Sequence, residues 1–468
     1  FEKVVVKLMF GINIIINFKK KLKNNENNRN IFLNTLGAFL VKGGALLISL
    51  FTMPAYMRYF GEQQILGLWF TIISVLSWIL TFDLGIGNGL RNHLVPALVN
   101  NHREKAKKFI SSAYIMTTSI TLTSIALAII IFRYINWNSL FNISVNVISK
   151  ETLNMTVLIV FSGIMLQFLF KLITSILYAM QKSAAVDLLR LVTSVITFIY
   201  VLNASTSDIS TNLISLAVVH VLAVNIPLLV STIYIFSKEL KGYRPEVRYF
   251  EMNYAKKVMK LGGVFFWVQI MYMLITATNE FLITWLTTPR MVVEYQIYYK
   301  LFTLIGTLFM LALTPIWSAV TRALSQNNFA WIKKLFRFLK VIAAIAIALQ
   351  FLMIPFLQIA IDLWLGDNAI KVNYVTAFIF AISGSVLIWN GALSSIANGL
   401  GELKTQLIFF TLGAIFKIPI AWFFVGLLDS WIGVIISNII AMSLYCIIQP
   451  IWLNKTLTKK ESEGKLDV

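Results

Sequence analysis

Residues 212–236 read NLISLAVVHVLAVNIPLLVSTIYIF, and residues 237–261, which follow directly, read SKELKGYRPEVRYFEMNYAKKVMKL. The first stretch contains no Asp, Glu, Lys or Arg, and about 20 such residues are enough for a helix to cross a hydrocarbon core of about 30 Å. The second holds seven basic residues: Lys238, Lys241, Arg244, Arg248, Lys256, Lys257 and Lys260. A charge-free run closed by a basic loop marks a membrane span that ends on the cytoplasmic face. The same alternation recurs along the chain. Of its 468 residues 58% are hydrophobic and 13% charged, against about 25% charged in a soluble domain. A soluble enzyme, a disordered chain and a collagen are excluded.

Twelve candidate spans follow on this ruler: 31–58, 65–87, 109–133, 155–178, 184–203, 212–236, 262–287, 295–318, 338–364, 373–397, 405–427 and 430–453. The formal charge of +20, from 40 Lys and Arg against 20 Asp and Glu, tests this count once it is divided by place. Thirty basic residues fall on the side of the termini and five (Arg58, Arg133, Lys150, Arg290, Lys371) on the other. Such a bias places both termini in the cytoplasm, and losing or adding one helix would scramble it. The excess therefore orients the chain and gives no reason to expect nucleic acid. Trp69, Trp137, Trp285, Trp364 and Trp431 near outer ends, with Trp317 and Trp452 near inner ends, read as interfacial anchors. Trp78, Trp389 and Trp422 lie deeper, where packing competes with stacking on a sugar face. Residues 1–18 are too short to span and read as an interfacial segment, with Met9 a candidate start.

The chain divides into a cytoplasmic or interfacial segment (1–30), an N-lobe (31–236), a cytoplasmic linker (237–261), a C-lobe (262–453) and a cytoplasmic tail (454–468). An internal echo supports the division. At an offset of 226, Gly37 and Phe39 meet Gly263 and Phe265, Ala97-Leu98 meets Ala323-Leu324, Asn101 meets Asn327, and Lys107-Lys108 meets Lys333-Lys334. Parallel repeats of this kind are found in transporters that rock about a central cavity. The fold expected is thus an all-α polytopic membrane protein, with twelve transmembrane helices in two six-helix lobes around such a cavity.

Cysteine and histidine usage narrows the chemistry. Cys446 is the only cysteine, and His93, His102 and His220 are the only histidines. No disulfide can form within the chain, no zinc set is available, and no phosphate-cradling loop of the P-loop type occurs. No metal, cofactor or enzymatic activity is expected. After the second span comes Asp83-Leu-Gly-Ile-Gly-Asn-Gly-Leu-Arg-Asn92, whose glycines at 85, 87 and 89 permit close backbone approach. Asp83, Asn88 and Arg91 can bond freed backbone groups or one another at the cytoplasmic mouth, with Asn88 and Arg91 as a gate; a plain polar helix end is the alternative.

Five basic residues remain inside spans: Lys42, Lys171, Arg190, Lys300 and Lys417. A charge at mid-membrane costs about 2.5–3.5 kcal/mol on the translocon-insertion scale, so each should face water or a partner. Asp187 and Arg190, three apart on one helix face, can neutralise each other. Glu280 and Lys300 fall at similar depths on antiparallel neighbours and suggest an ion pair. Lys42, Lys171 and Lys417 have no evident acid at their level. A single lysine can snorkel to the interface, but five together favour a cationic cavity, which suits an anionic substrate.

With these residues in place the chain resembles the polysaccharide flippases of the multidrug/oligosaccharidyl-lipid/polysaccharide exporter superfamily, and within it the O-antigen flippase (Wzx) group. Asn34-Thr-Leu-Gly-Ala-Phe with Gly43-Gly44, the Asp83-Leu-Gly-Ile-Gly-Asn-Gly sequence and Ala397-Asn-Gly-Leu-Gly-Glu402 carry the resemblance, together with the six-plus-six layout over residues 31–453. It implies translocation of an undecaprenyl-diphosphate-linked oligosaccharide, an O-antigen or related surface polysaccharide unit, from the inner to the outer leaflet of a bacterial inner membrane. The diphosphate would be the anion for Lys42, Lys171, Arg190, Lys300 and Lys417. It further implies an alternating-access antiporter driven by a proton or sodium gradient, with Glu280, Asp83 and His220 as candidate coupling groups. Membrane lipid, a polysaccharide polymerase and a chain-length regulator are the other partners implied. Two alternatives stand beside it: a membrane polymerase or ligase of lipid-linked sugars, and a drug or cation antiporter of the same fold.

Overall fold

The computed structural model describes residues 26–81, 86–99, 101–180, 182–204, 208–259, 263–325 and 328–463, and all regular structure among them is helical. The first half contains α1 (Glu26–Phe60), α2 (Gln63–Thr81), α3 (Ile86–Val99), α4 (Arg103–Ile131), α5 (Trp137–Leu140), α6 (Lys150–Phe170), α7 (Leu172–Ala179), α8 (Ser183–Asn203) and α9 (Ile209–Ser237). After the linker helix α10 (Met252–Met259) come α11 (Gly263–Thr276), α12 (Asn279–Leu286), α13 (Pro289–Ser325), α14 (Phe329–Leu352), α15 (Leu357–Leu365), α16 (Tyr374–Leu400), α17 (Lys404–Leu428) and α18 (Ile432–Glu463). Helices occupy all twelve ranges expected from the sequence. Among the described residues nine are long and apolar enough to cross a membrane, and α11 with α12 makes a tenth as one bent span. The first and eighth expected spans are occupied by α1 and α13.

Helix limits echo the repeat. α1 and α12 end at Phe60 and Leu286, α2 and α13 begin at Gln63 and Pro289, α3 and α13 end at Val99 and Ser325, and α4 and α14 begin at Arg103 and Phe329, each pair 226 apart. The two halves differ where the second interrupts a helix that the first keeps whole. The range of α13 corresponds to that of α2 and α3 in the first half, and the range of α11 and α12 in the second half corresponds to an uninterrupted stretch of α1.

Apolar packing distributes unevenly along the molecule. One cluster joins both halves: Tyr59, Ile65, Trp69, Trp137 and Phe141 from the first pack with Ile283, Val292, Tyr298, Phe380 and Trp431 from the second. With both termini cytoplasmic, as the charge sorting leads one to expect, this would be the outer end. Toward the other end the described residues form two separate clusters, one drawn from residues 86–258 and another drawn from residues 268–457. Trp69, Trp137 and Trp431 are therefore buried core residues and not interfacial anchors. Hydrophobicity and position alone could not separate these roles, because Trp69 and Trp431 pack on residues distant in the chain, His220 and Phe380 among them. Trp285 and Trp452 remain exposed, while the Trp317 side chain lies outside the described residues.

Close backbone contact fixes the joint end. A Cβ at Gly67 of α2 would stand 1.7 Å from the Pro289 carbonyl oxygen at the start of α13. Hydrogen bonds also cross here, from Asn142 Nδ2 to the Thr287 oxygen (2.5 Å), between the Thr71 and Thr284 hydroxyls (2.6 Å), and from Arg290 Nε to Gln63 Oε1 (3.2 Å). At the opposite end the linker is bound along α4. Lys107 pairs with Glu246, Lys108 with Glu104 and Glu251 (2.9 and 2.7 Å), and the Ser111 and Ser112 hydroxyls accept the Glu246 and Glu251 amides. The Lys107 ammonium bonded to it, and Arg248 beside it, hold the Glu246 carboxyl below the usual carboxylate range. Of the three loop glycines, Gly89 makes the close approach expected: a Cβ there would lie 1.8 Å from the Val258 oxygen of α10.

Candidate functional site

The seventh expected span is broken at mid-membrane. Its two pieces meet at a bend of 41° after Thr276, although neither Pro nor Gly occurs between residues 264 and 288. The cause lies in polar groups that capture the local backbone. Thr276 and Thr278 hydroxyls bond back to the Tyr272 and Leu274 oxygens (2.9 and 2.8 Å). Trp78 Nε1, from the first half, donates to the Ala277 oxygen at 2.7 Å, and the Lys417 ammonium of α17 donates to the Ile275 oxygen.

Lys417 is 1% exposed, and its other two protons go to Thr278 Oγ1 (2.7 Å) and Asn279 Oδ1 (2.9 Å). An ammonium has three donors, so all are used within the protein. Asn279 Oδ1 also accepts from Asn438 Nδ2 (2.9 Å), while Asn279 Nδ2 donates to the Tyr295 hydroxyl (3.2 Å). Asn438 Oδ1 is buried without a partner. Beside this cluster, Thr276, Asn279, Tyr295, Thr303, Ser383 and Asn438 help line a cavity of about 40 Å³, room for a few water molecules.

Glu280 begins the outer piece of the span and is also buried. One carboxylate oxygen accepts from Ser74 of α2 (2.9 Å), the other from Gln296 of α13 (2.9 Å). The Glu280–Lys300 pair suggested by the sequence does not form. Gln296, one helical turn before Lys300 on α13, is the residue at the level of Glu280. Lys300, four residues further along α13, instead donates to the Ser49 carbonyl and hydroxyl of α1, both at 3.0 Å. Glu280 and Lys300 thus each connect the two halves, through different partners.

The remaining candidates are dispersed. Arg190 is exposed and lies 3.9 Å from Asp187, the pairing expected from their spacing. Lys171 closes α6 and approaches the Leu80 oxygen at 3.5 Å. Arg91 is exposed, its guanidinium 5.1 Å from the centre of the Tyr178 ring. His220 meets the edge of Trp69 at 5.6 Å. Asp83 and the side chains of Lys42 and Asn88 lie outside the described residues. The structure brings Lys417 and Glu280 to one helix break and places Lys300 at the seam between halves; it does not gather all five cations into one cluster.

Sequence reasoning missed Thr278, Asn279, Asn438, Gln296 and Ser74. The run Thr276-Ala-Thr-Asn-Glu280 inside an apolar span was the available signal, since residues that bond their own backbone disfavour an unbroken helix. Trp78, considered for sugar stacking, spends its N–H on the broken backbone and packs edge-on against Phe281. Trp389 donates to the Cys446 oxygen (3.0 Å), and Trp422 is exposed.

No protein-family model matches the chain, and no curated protein matches it in sequence. Solved structures do. The inward-facing conformation of a multidrug resistance MATE family transporter of the MOP superfamily aligns with a TM-score of 0.70 at 14% identity, over 91% of this chain and 99% of that one. An outward-facing conformation of such a transporter gives 0.57 at 14% identity, over 92% and 97%. The Vibrio cholerae MATE transporter VcmN in the bent form also gives 0.57 at 14% identity, over 91% and 98%. The chain is a multi-pass, all-helical membrane protein with the fold of the MATE transporters of the MOP superfamily.

Proposed function

We propose that this protein is a flippase for polyprenyl-diphosphate-linked oligosaccharides, surface-polysaccharide units of the O-antigen kind, in the bacterial inner membrane. Residues 31–236 and 262–453 act as two lobes, both termini are cytoplasmic, and transport proceeds by alternating access. The packing supports a conformation open to the cytoplasm, since among the described residues one apolar core joins the lobes at the outer end and separate cores form at the inner end.

The observation that carries the anionic cargo is Lys300. At the junction of the lobes its ammonium is held by neutral oxygens of Ser49, so among the described residues no adjacent carboxylate cancels its charge. Arg190, Lys171 and Lys42 are further basic residues within the expected spans, and a diphosphate is the complementary ligand. Glu280 is the coupling group in this reading. It accepts one hydrogen bond from each lobe, so any change in its charge alters the contact between them. Asp83 and His220 are secondary coupling candidates, and Asn88 with Arg91 forms the inner gate. A proton or sodium gradient supplies the work, and a polymerase and chain-length regulator receive the product.

A drug or cation antiporter is the competing reading, favoured by the multidrug transporters among the structural matches and by the buried carboxylate of Glu280. Proteoliposomes separate the two. Protein-dependent reversal of leaflet for a fluorescent polyprenyl-diphosphate oligosaccharide, lost in Lys300→Ala, supports the flippase. Transport of a cationic dye with no movement of the lipid would establish the antiporter.

A further inference from the structure

The oxygens around Lys417 have the composition of a cation site. The Ile275 carbonyl, Thr278 hydroxyl and Asn279 side-chain carbonyl converge on one point, and all three come from the interrupted span. Interrupted helices present unwound carbonyls and side-chain oxygens that hold monovalent cations. Here the point is already occupied by an ammonium carried on α17. Asn438, 8% exposed, stands beside the cluster with an amide oxygen that has no partner. Glu280, the next residue after Asn279, is buried as well. The corresponding part of α1 in the first half is unbroken, so this set of acceptors is an addition of the second half.

We infer that Lys417 is a tethered cation filling a monovalent-cation site at the break between α11 and α12, and that removing its charge converts the break into a site for a sodium ion. Thr278 Oγ1 gives its own proton to the Leu274 oxygen, which turns its lone pairs to the ammonium. Asn279 Oδ1 takes a second bond from Asn438 Nδ2, which fixes the amide with its oxygen toward Lys417. The acceptors are thus oriented for a positive charge by bonds that do not involve Lys417. Loss of the ammonium would leave them facing a vacated volume deep in the protein, an arrangement that favours entry of a small cation. A sodium ion has no place at the break while the lysine is there. The inference rests on this geometry and not on what the protein carries.

Equilibrium binding of radioactive sodium to the purified full chain in detergent tests it, with choline replacing sodium to hold ionic strength. The wild type is expected to show no saturable binding that depends on Thr278 or Asn279. Lys417→Ala is expected to gain saturable binding, and a second change to Thr278→Val or Asn279→Leu should weaken that binding by about 10-fold or more, as loss of a supporting ligand group does. Absence of saturable binding in folded Lys417→Ala overturns the inference, as does wild-type binding that is lost in Thr278→Val alone. If Lys417→Ala does not fold, Lys417→Gln, which keeps much of the side-chain volume, replaces it with the same two outcomes. Neither readout involves cargo, so failure here leaves the flippase assignment standing, and failure of that assignment leaves this site.

Discussion

Gly67→Ala should loosen the outer closure without touching any group that binds cargo. The added methyl would lie 1.7 Å from the Pro289 oxygen and 2.5 Å from its carbonyl carbon, both backbone atoms that no side-chain rotation can move aside. To restore a separation of 3.0 Å, α2 and the start of α13 must part by about 1.3 Å. Overpacking of this kind costs about 1–3 kcal/mol, and the cost falls on the closed arrangement, in which the two backbones touch. An equilibrium between closed and open outer ends would shift by about 5- to 150-fold. Thr284 provides a reporter, because it is fully buried and hydrogen-bonded across the seam to Thr71. In a Cys446→Ser background, the labelling rate of Thr284→Cys by an impermeant maleimide added from outside should rise by that factor when Gly67→Ala is introduced. An unchanged rate, in a variant with unchanged folding, would show that the Gly67–Pro289 contact does not hold the outer end shut.

Glu280→Gln keeps hydrogen-bonding capacity toward Ser74 and Gln296 but removes the charge; leaflet reversal should continue down a cargo gradient while its dependence on an imposed ion gradient disappears, as measured in proteoliposomes. Lys300→Ala should raise the concentration of lipid-diphosphate sugar needed for half-maximal flipping, whereas Lys300→Arg, which retains charge and donors, should restore much of it. The linker should show a pH dependence from Glu246. Its folded carboxyl titrates below the usual range, so its ion pair with Lys107 contributes above the ordinary carboxylate pKa and is lost as pH falls through the depressed value. Hydrogen exchange at residues 238–251, corrected for intrinsic rates, should therefore accelerate below about pH 4, and Glu246→Gln should exchange fast at neutral pH as well.

Much of the architecture was legible because the bilayer imposes a length on every span and a charge on every loop. The apolar runs and the distribution of thirty basic residues locate helices in all twelve expected ranges. The repeat offset read from a few residues reappears in the limits of α2, α4, α13 and α14. Less legible was anything decided by contact between the halves. Trp69 and Trp431 have the positions of interfacial anchors, yet both are buried in the cluster that holds residues of both halves. Glu280 and Lys300 were matched by depth alone, and a one-turn error changed both partners, because 1.5 Å per residue makes four residues a separate level. The helix break escaped notice for a related reason. Thr276, Thr278 and Asn279 only weaken the helix locally, and it is Trp78 and Lys417, from distant parts of the chain, that take up its freed oxygens.

Reciprocal motion of the two ends, driven by the anionic lipid, is the claim on which the account depends. Paired spin labels in nanodiscs measure it, with His102→Cys and Trp331→Cys reporting the inner end and Val145→Cys and Leu363→Cys the outer, all four at exposed positions in the Cys446→Ser background. On addition of a polyprenyl-diphosphate oligosaccharide the inner distance should shorten as the outer one lengthens, and a cationic drug should produce no such exchange. Distances that stay fixed with the lipid, or that exchange only with the drug, would contradict it.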